Sequence, residues 1–365
     1  MKKIHLFQKK NSSTPKEQEP PKLQFRRIRF PRMYLAVKKR PVAIMALTAG
    51  ILLAAGGITW GVIESNKRKS IPVQVVVETN KEPHRIYLLG NDQYVVPLTI
   101  HLEKKDNFEE KISSLLPYLK EDTPYRSNYL RGYLPKDTKI LSVTLDGHRL
   151  TINFSKEFND IKETCHLRVL EALSHTFLDV KEVRSVTFQV EGKDLTKLGE
   201  IPVPKSIDRR FGINQVTSDL KDLQKKTRTT IFYQRNYDEE NQFLIPVSVL
   251  VDNAKNDYTN MYRGTQVSMP TRTKLKNVED YGAINLQKTP KIDNGTVTYE
   301  VQKSALQDEV TIRKSVFELL RLTTDFIAPD TKVNLTYQDE VYQVDGYVKS
   351  DEVEVGAIVY NEVAI

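Results

Sequence analysis

The chain has 365 residues, 39% of them hydrophobic and 28% charged, with a single cysteine and a net charge of +8. That length holds two or three domains, and one cysteine, Cys165, excludes an internal disulfide and a cysteine-based zinc centre. Residues 1–40 hold thirteen Lys or Arg against Glu17 and Glu19, a net of +11; set against the whole-chain +8, this leaves −3 on everything that follows. The bulk of the chain therefore lacks the positive surface excess that nucleic-acid binding needs, and no nucleic-acid partner is expected.

The basic segment 1–40 is rich in Lys, Arg, Pro and Ser and reads as a disordered tail. Its cations would be drawn to anionic lipid, although setting topology is enough to explain them. "PVAIMALTAGILLAAGGITWGVI", Pro41 to Ile63, carries no charge. At about 1.5 Å per residue it is long enough for a hydrocarbon core of about 30 Å. Lys38, Lys39 and Arg40 stand at its near end and Trp60 towards its far end. The run predicts an uncleaved signal anchor in the cell membrane, with a cytoplasmic N-terminus and residues 64–365 extracytoplasmic. Gly57 and Gly61 form a GxxxG pair suited to packing two such helices, though membrane helices are Gly-rich in any case. Residues 64–83 read as a stalk.

From His84 the periodicity changes. Strands are predicted at 84–89 and 93–102, then a helix over about 106–119 with Phe108, Ile112, Leu115, Leu116 and Leu119 on one stripe, stopped or kinked near Pro117. A hairpin with an Asp146-Gly147 turn follows over 138–154, then a helix over about 161–179 and a strand at 183–190. The same order returns later: strands within 228–251, a strand ending near Thr289, a turn at Asp293-Asn294-Gly295, a strand at 296–301, a helix over 309–326 and a strand at 332–338. Tyr87 matches Phe232, Ile152 matches Val297 and Phe188 matches Leu335, at separations of 145, 145 and 147. So constant an offset predicts a repeated fold: two tandem α+β domains of the α/β-sandwich kind, over 84–212 and 228–365, joined by a polar linker over 213–227. The end of the chain reads as a strand closing the second sheet.

No catalytic constellation stands out. Neighbours on a helix point about 100° apart, so Cys165 and His166 make a poor nucleophile–base pair. Cys165 falls on the apolar stripe and reads as a core cysteine. His175, four residues after Glu171, reads as a surface helix pair. No HExxH, GxSxG, Walker A loop or GxGxxG occurs. Asp238, Glu239, Glu240, Asp252 and Asp257 lack calcium-loop alternation, and Glu157 is a lone carboxylate. No cofactor or metal is expected. Tyr125, Tyr129 and Tyr133 crowd one loop, where such rings either bind a partner or cover a core edge.

The first unit contains "IYLLGNDQYVVPLTIHL" (86–102), "LRGYLPKDTKI" (130–140), "LTINFSKEF" (150–158), "VRSVTFQVEGK" (183–193) and "DRRFGIN" (208–214), and the second "FLIPVSVLV" (243–251) and "TPKIDNGTVTYEV" (289–301). Taken together these segments resemble the GerM family, the tandem-domain sporulation and germination proteins of spore-forming Firmicutes. The signal anchor departs from the lipoprotein pattern known in that family. The resemblance implies ring-building-motif-like modules, no catalytic residues, and a non-enzymatic membrane-anchored scaffold working with other envelope or sporulation proteins. The alternative expectation is a peptidoglycan-binding module that uses the tyrosine-rich loop.

Overall fold

The first strand pair sets the pattern for everything after it. In the computed structural model, which describes residues 80–215, 225–254, 256–329, 331–346 and 359–363, β1 (Lys81–Gly90) and β2 (Val95–Glu103) form an antiparallel hairpin, and β3 (Leu130–Arg131) pairs with the other side of β1. Between them α1 (Phe108–Leu119) starts at Asn107, whose side chain accepts from the Glu110 amide, and buries Ile112, Leu115, Leu116 and Leu119. An N-cap of this kind satisfies one of the four unbonded amides of a first turn.

The second sheet of the repeat follows the order β4 (Ile140–Asp146), β5 (Arg149–Phe154), β6 (Ser185–Val190), β7 (Lys193–Asp194). Helix α2 (His166–Leu178) carries the chain from β5 to β6, so that pair is parallel while its neighbours are antiparallel. A small hairpin, β8 (Lys197–Leu198) and β9 (Ile201–Pro202), and a 3₁₀ turn at Arg209–Phe211 close the repeat. Near its middle Gly132 passes so close to α1 that a Cβ there would sit 1.8 Å from the Lys120 carbonyl oxygen.

The chain then does this again. β10 (Lys226–Asn236), β11 (Gln242–Asp252), the short helix α3 (Asp257–Gly264) and β12 (Leu275–Asn277) repeat the first sheet in the order β11-β10-β12. β13 (Lys291–Asp293) and β14 (Thr296–Glu300) come next, then β15 (Thr311–Ile312), α4 (Lys314–Ile327), β16 (Lys332–Tyr337), β17 (Glu340–Val341) and β18 (Gln343–Val344). Their sheet runs β13-β14-β16-β17, with β14 and β16 parallel, while β15 pairs with β18. The parallel register is the same in both repeats. Ile152 faces Phe188 and Val297 faces Val333, each 36 residues apart. The counterpart of Phe188 is therefore Val333, not Leu335, and the offset of 145 holds throughout these strands. The described residues belong to one compact unit, Val76–Ile365.

Four local expectations change. The helix expected over 161–179 begins at His166, preceded by a 3₁₀ turn at Lys156–Asp160. Its buried stripe is thus Val169, Leu170, Leu173 and Phe177, while Leu167 is partly exposed and Cys165 sits at the N-cap, half-buried rather than in the core. Helix α4 starts at Lys314, which leaves Val310 at the surface. The strand expected before Thr289 is a 3₁₀ turn at Glu279–Ala283, and the following strand is only Lys291–Asp293. Pro117 does not end α1; it lies inside the helix two residues before its end. The expected anchor 41–63 with Gly57 and Gly61, the tail and most of the stalk lie outside the described residues. Among the described residues no helix is long and apolar enough to cross a membrane.

Candidate functional site

The most elaborate chemistry in this chain lies where the two repeats meet, and two prolines explain how the meeting is arranged. Pro97 stands opposite Tyr87, and Pro246 opposite Phe232. Proline has no N–H, so in a ladder it fits only where none is required. Antiparallel positions alternate in this respect. Val95, Pro97 and Thr99 consequently turn their backbone groups away from β1, and Leu244, Pro246 and Ser248 turn theirs away from β10. Each row alone would be a bare sheet edge. Here β2 and β11 face each other, and the segments that leave the two repeats satisfy both rows.

Asn214, the last residue of "FGIN", accepts from the Val95 amide (2.7 Å) and donates to the carbonyls of Val95 (2.7 Å) and Pro246 (3.0 Å). Asn361, from the end of the chain, accepts from the Leu244 amide (2.9 Å) and donates to the carbonyls of Leu244 (2.8 Å) and Pro97 (2.8 Å). The two side chains play the same part with the repeats interchanged, and both have φ +50, a conformation that asparagine adopts more readily than most residues. Their neighbours extend the exchange. The Ser248 amide donates to the Ile213 carbonyl and the Thr99 amide to the Asn361 carbonyl. Val363 donates back to Thr99, whose hydroxyl reaches the Tyr360 carbonyl. Each repeat thus sends its exit segment onto the edge strand of the other. The segment expected as a linker from residue 213 begins with two fully buried residues, and residues 359–363 dock on the first repeat rather than closing the second sheet.

Behind this seam lies a buried ion cluster. Asp179, at the end of α2, accepts from Arg85 (3.0 Å), Arg209 (2.7 Å) and the Tyr87 hydroxyl (2.6 Å). Burial alone would raise the Asp179 carboxyl, but Arg85 and Arg209 outweigh it and hold the group below the usual carboxylate range. Residues of the second repeat cover both cations. Arg85 lies over the Tyr360 ring at 4.7 Å, and Arg209 lies over Phe326 at 5.4 Å while also donating to the Phe326 carbonyl. Phe326 stacks on His175 (5.2 Å) and meets Phe232 edge-on. His175 Nε2 lies 3.1 Å from the Gly212 carbonyl, so this nitrogen carries the proton of the neutral ring, and Nδ1 has no partner among the described residues. Burial, helped by nearby Arg209, lowers His175 to about 4. The neutral ring fits this site and the charged ring does not.

His175 and Glu171 are thus not a surface helix pair. Both are buried in the junction, and they act separately. Glu171 joins Arg168 (2.7 Å) to the Asn214 amide (3.0 Å), which positions the asparagine. A second seam runs along the hairpin tips, where Asp92 accepts from Arg235 (2.8 Å) and Tyr237 (2.8 Å).

The three tyrosines separate. Tyr133 is 1% exposed and belongs to the core, and its amide donates to the Leu119 carbonyl at the end of α1. Tyr129 stacks on Tyr237 of the second repeat at 5.2 Å, so its ring is engaged within the junction. Tyr125 is half-buried against the core edge. They do not make a shared platform. Among the described residues no group of three or more His, Cys, Asp or Glu is placed to hold a metal.

Comparison with known proteins agrees with this architecture. Residues 85–196 match the family model described as "Germane: Sporulation and spore germination". The chain is 24% identical over 265 residues to the spore germination protein GerM of Bacillus subtilis (strain 168), spanning 71% of this chain and 69% of that protein. The resemblance to the GerM family is borne out. The solved tandem GerMN domains of the sporulation protein GerM from Bacillus subtilis superpose with a TM-score of 0.60 at 23% identity, covering 77% of this chain and 96% of that one. The GerM-type fold is therefore present in tandem here. The family model reaches only the first repeat, and the second is recognised by its strand order and register.

Asn214, Asn361, Asp179 and Arg209 were not singled out in the sequence. One signal was available for the asparagines. They stand 147 residues apart, each directly after an aromatic or β-branched residue, at nearly the offset of the repeat itself.

Proposed function

We propose that this chain is a non-enzymatic assembly protein, held at the outer face of the cell membrane by residues 41–63, that presents two GerM-type modules as one rigid body to other envelope proteins during sporulation or spore germination. The observation that carries this reading is the reciprocal exchange of exit segments. Its polar groups fix one repeat against the other, with the Asp179 cluster buried behind them, which supports a structural role for the junction. A body of this kind offers sheet and helix faces at a set angle, which is what a building block of a larger assembly requires. The uncharged run at 41–63 and the basic residues before it support the anchor, and the relative's name supports the sporulation setting.

The test is affinity capture of the full chain from detergent-solubilised membranes of sporulating cells. Stoichiometric retention of a defined envelope protein, lost when surface residues of either repeat are changed, is the expected result. Capture of nothing above a tag-only control contradicts the reading.

A further inference from the structure

One face of the junction remains open. A cleft of about 670 Å³ lies between the start of β10, the 3₁₀ turn after the first repeat and the end of α4, and it is lined by Arg184, Arg209, Arg210, Lys226 and Arg228. Asp208 and Asp257 are the acidic residues in its lining. The lining holds five cations and two carboxylates, and Asp179 and Asp252 pair with two of those cations from outside it, so the local balance is slightly positive in a region that is otherwise slightly acidic; the volume falls within the range of about 300–1,000 Å³ usual for ligand sites.

The cations differ in how they are balanced. Arg209 is neutralised by Asp179, Arg210 by Asp208 (2.6 Å) and Lys226 by Asp252 (3.0 Å). Arg228 meets the backbone carbonyls of Arg210 and Phe211, which hold its guanidinium in place without cancelling its charge. The Arg210–Asp208 pair is at the surface, where an ion pair exchanges readily for another anion. Thr227 and Thr229 also line the cleft. A fixed guanidinium and a second one in an exchangeable pair suit the non-bridging oxygens of a phosphate, because a planar fork donates to two oxygens at once.

We infer that this cleft is a binding site for phosphodiester groups, supplied either by an anionic polymer of the cell wall or by phospholipid headgroups. The inference goes beyond the assembly reading and does not depend on it. The cleft sits between the two repeats, so a ligand there bridges them and adds to the lock.

The test uses the full chain in neutral detergent, titrated with synthetic polyglycerol phosphate and, in a second arm, with vesicles of phosphatidylglycerol and phosphatidylcholine. The basic tail also binds polyanions, so the readout is the difference between the wild type and cleft variants in the same background. Arg210→Gln/Arg228→Gln should weaken binding at least about tenfold, with a shallower salt dependence. Arg210→Gln/Lys226→Gln, both at the rim, is the second variant should the first fail to fold. Loss confined to the polymer arm identifies the wall polymer as the source, and loss confined to the vesicle arm identifies headgroups. Cleft variants that stay folded and bind like the wild type in both arms overturn the inference.

Discussion

Asn214→Ala is the substitution on which the junction depends most. The side chain is fully buried and makes three hydrogen bonds, to the Val95 amide, the Val95 carbonyl and the Pro246 carbonyl. Truncation leaves all three backbone groups without a partner in a site closed to water. Each buried orphan costs about 1–3 kcal/mol, and partial relaxation keeps the sum near the low end, at about 3–5 kcal/mol. Alanine at φ +50 adds on the order of 1 kcal/mol of backbone strain. Asn214→Gly removes the same bonds but relieves the strain, so it should be the milder change by up to about 1 kcal/mol. Urea unfolding followed by far-ultraviolet circular dichroism measures both. A loss below about 1 kcal/mol for Asn214→Ala would refute the claim that this side chain stands in for a ladder between β2 and β11.

Four further expectations follow from the same geometry. His175 has its folded pKa depressed to about 4 from the ordinary 6.5, so the unfolded chain binds the extra proton first; the stability from its neutral ring is complete above pH 6.5 and falls away from there to pH 4. The loss amounts to roughly 3 kcal/mol, and a urea midpoint that does not move across that window in the wild type would contradict this placement. Asp179→Asn removes the carboxylate that Arg85 and Arg209 share in a buried site and should cost about 3–5 kcal/mol in the same unfolding assay. Pro97→Ala introduces an amide N–H facing the buried seam, at a cost of about 1–3 kcal/mol in melting experiments, whereas an ordinary strand position would gain from losing proline. Gly132→Ala drives a Cβ into the Lys120 carbonyl, and soluble yield together with the thermal midpoint should fall sharply, because that atom is backbone and cannot rotate aside.

The repeat was legible because its signals are local. Alternating apolar residues around Asp146-Gly147, the helical stripe of α1 and the matching apolar–proline steps at Val96-Pro97 and Ile245-Pro246 each announce an element without reference to the rest of the chain. The offset of 145 then joined the two halves. The junction was illegible for the opposite reason. Asn214 meets Val95 across 119 residues, Asn361 meets Pro97 across 264, and Arg85 meets Asp179 across 94. Single polar residues at such separations leave no periodic trace. His175 shows the ambiguity most clearly. A histidine four residues after a glutamate on an amphipathic helix looks like a solvated pair, and only the packing of α4 against α2 through Phe326 shows that the second repeat buries it. The tyrosine loop left two readings open, a partner-binding surface or the cover of a core edge: Tyr133 is buried, Tyr125 packs against the core edge, and Tyr237 occupies the face of Tyr129.

That the two repeats behave as one body is the central claim, and hydrogen exchange measured through a denaturant series tests it most directly. Amides of β1 and β5 report on the first repeat, and those of β10 and β14 on the second. The reciprocal exchange of exit segments predicts that both sets lose protection together at a single denaturant concentration. If one repeat opens while the other keeps its full protection, the junction is not a lock, and the rigid-body account is wrong.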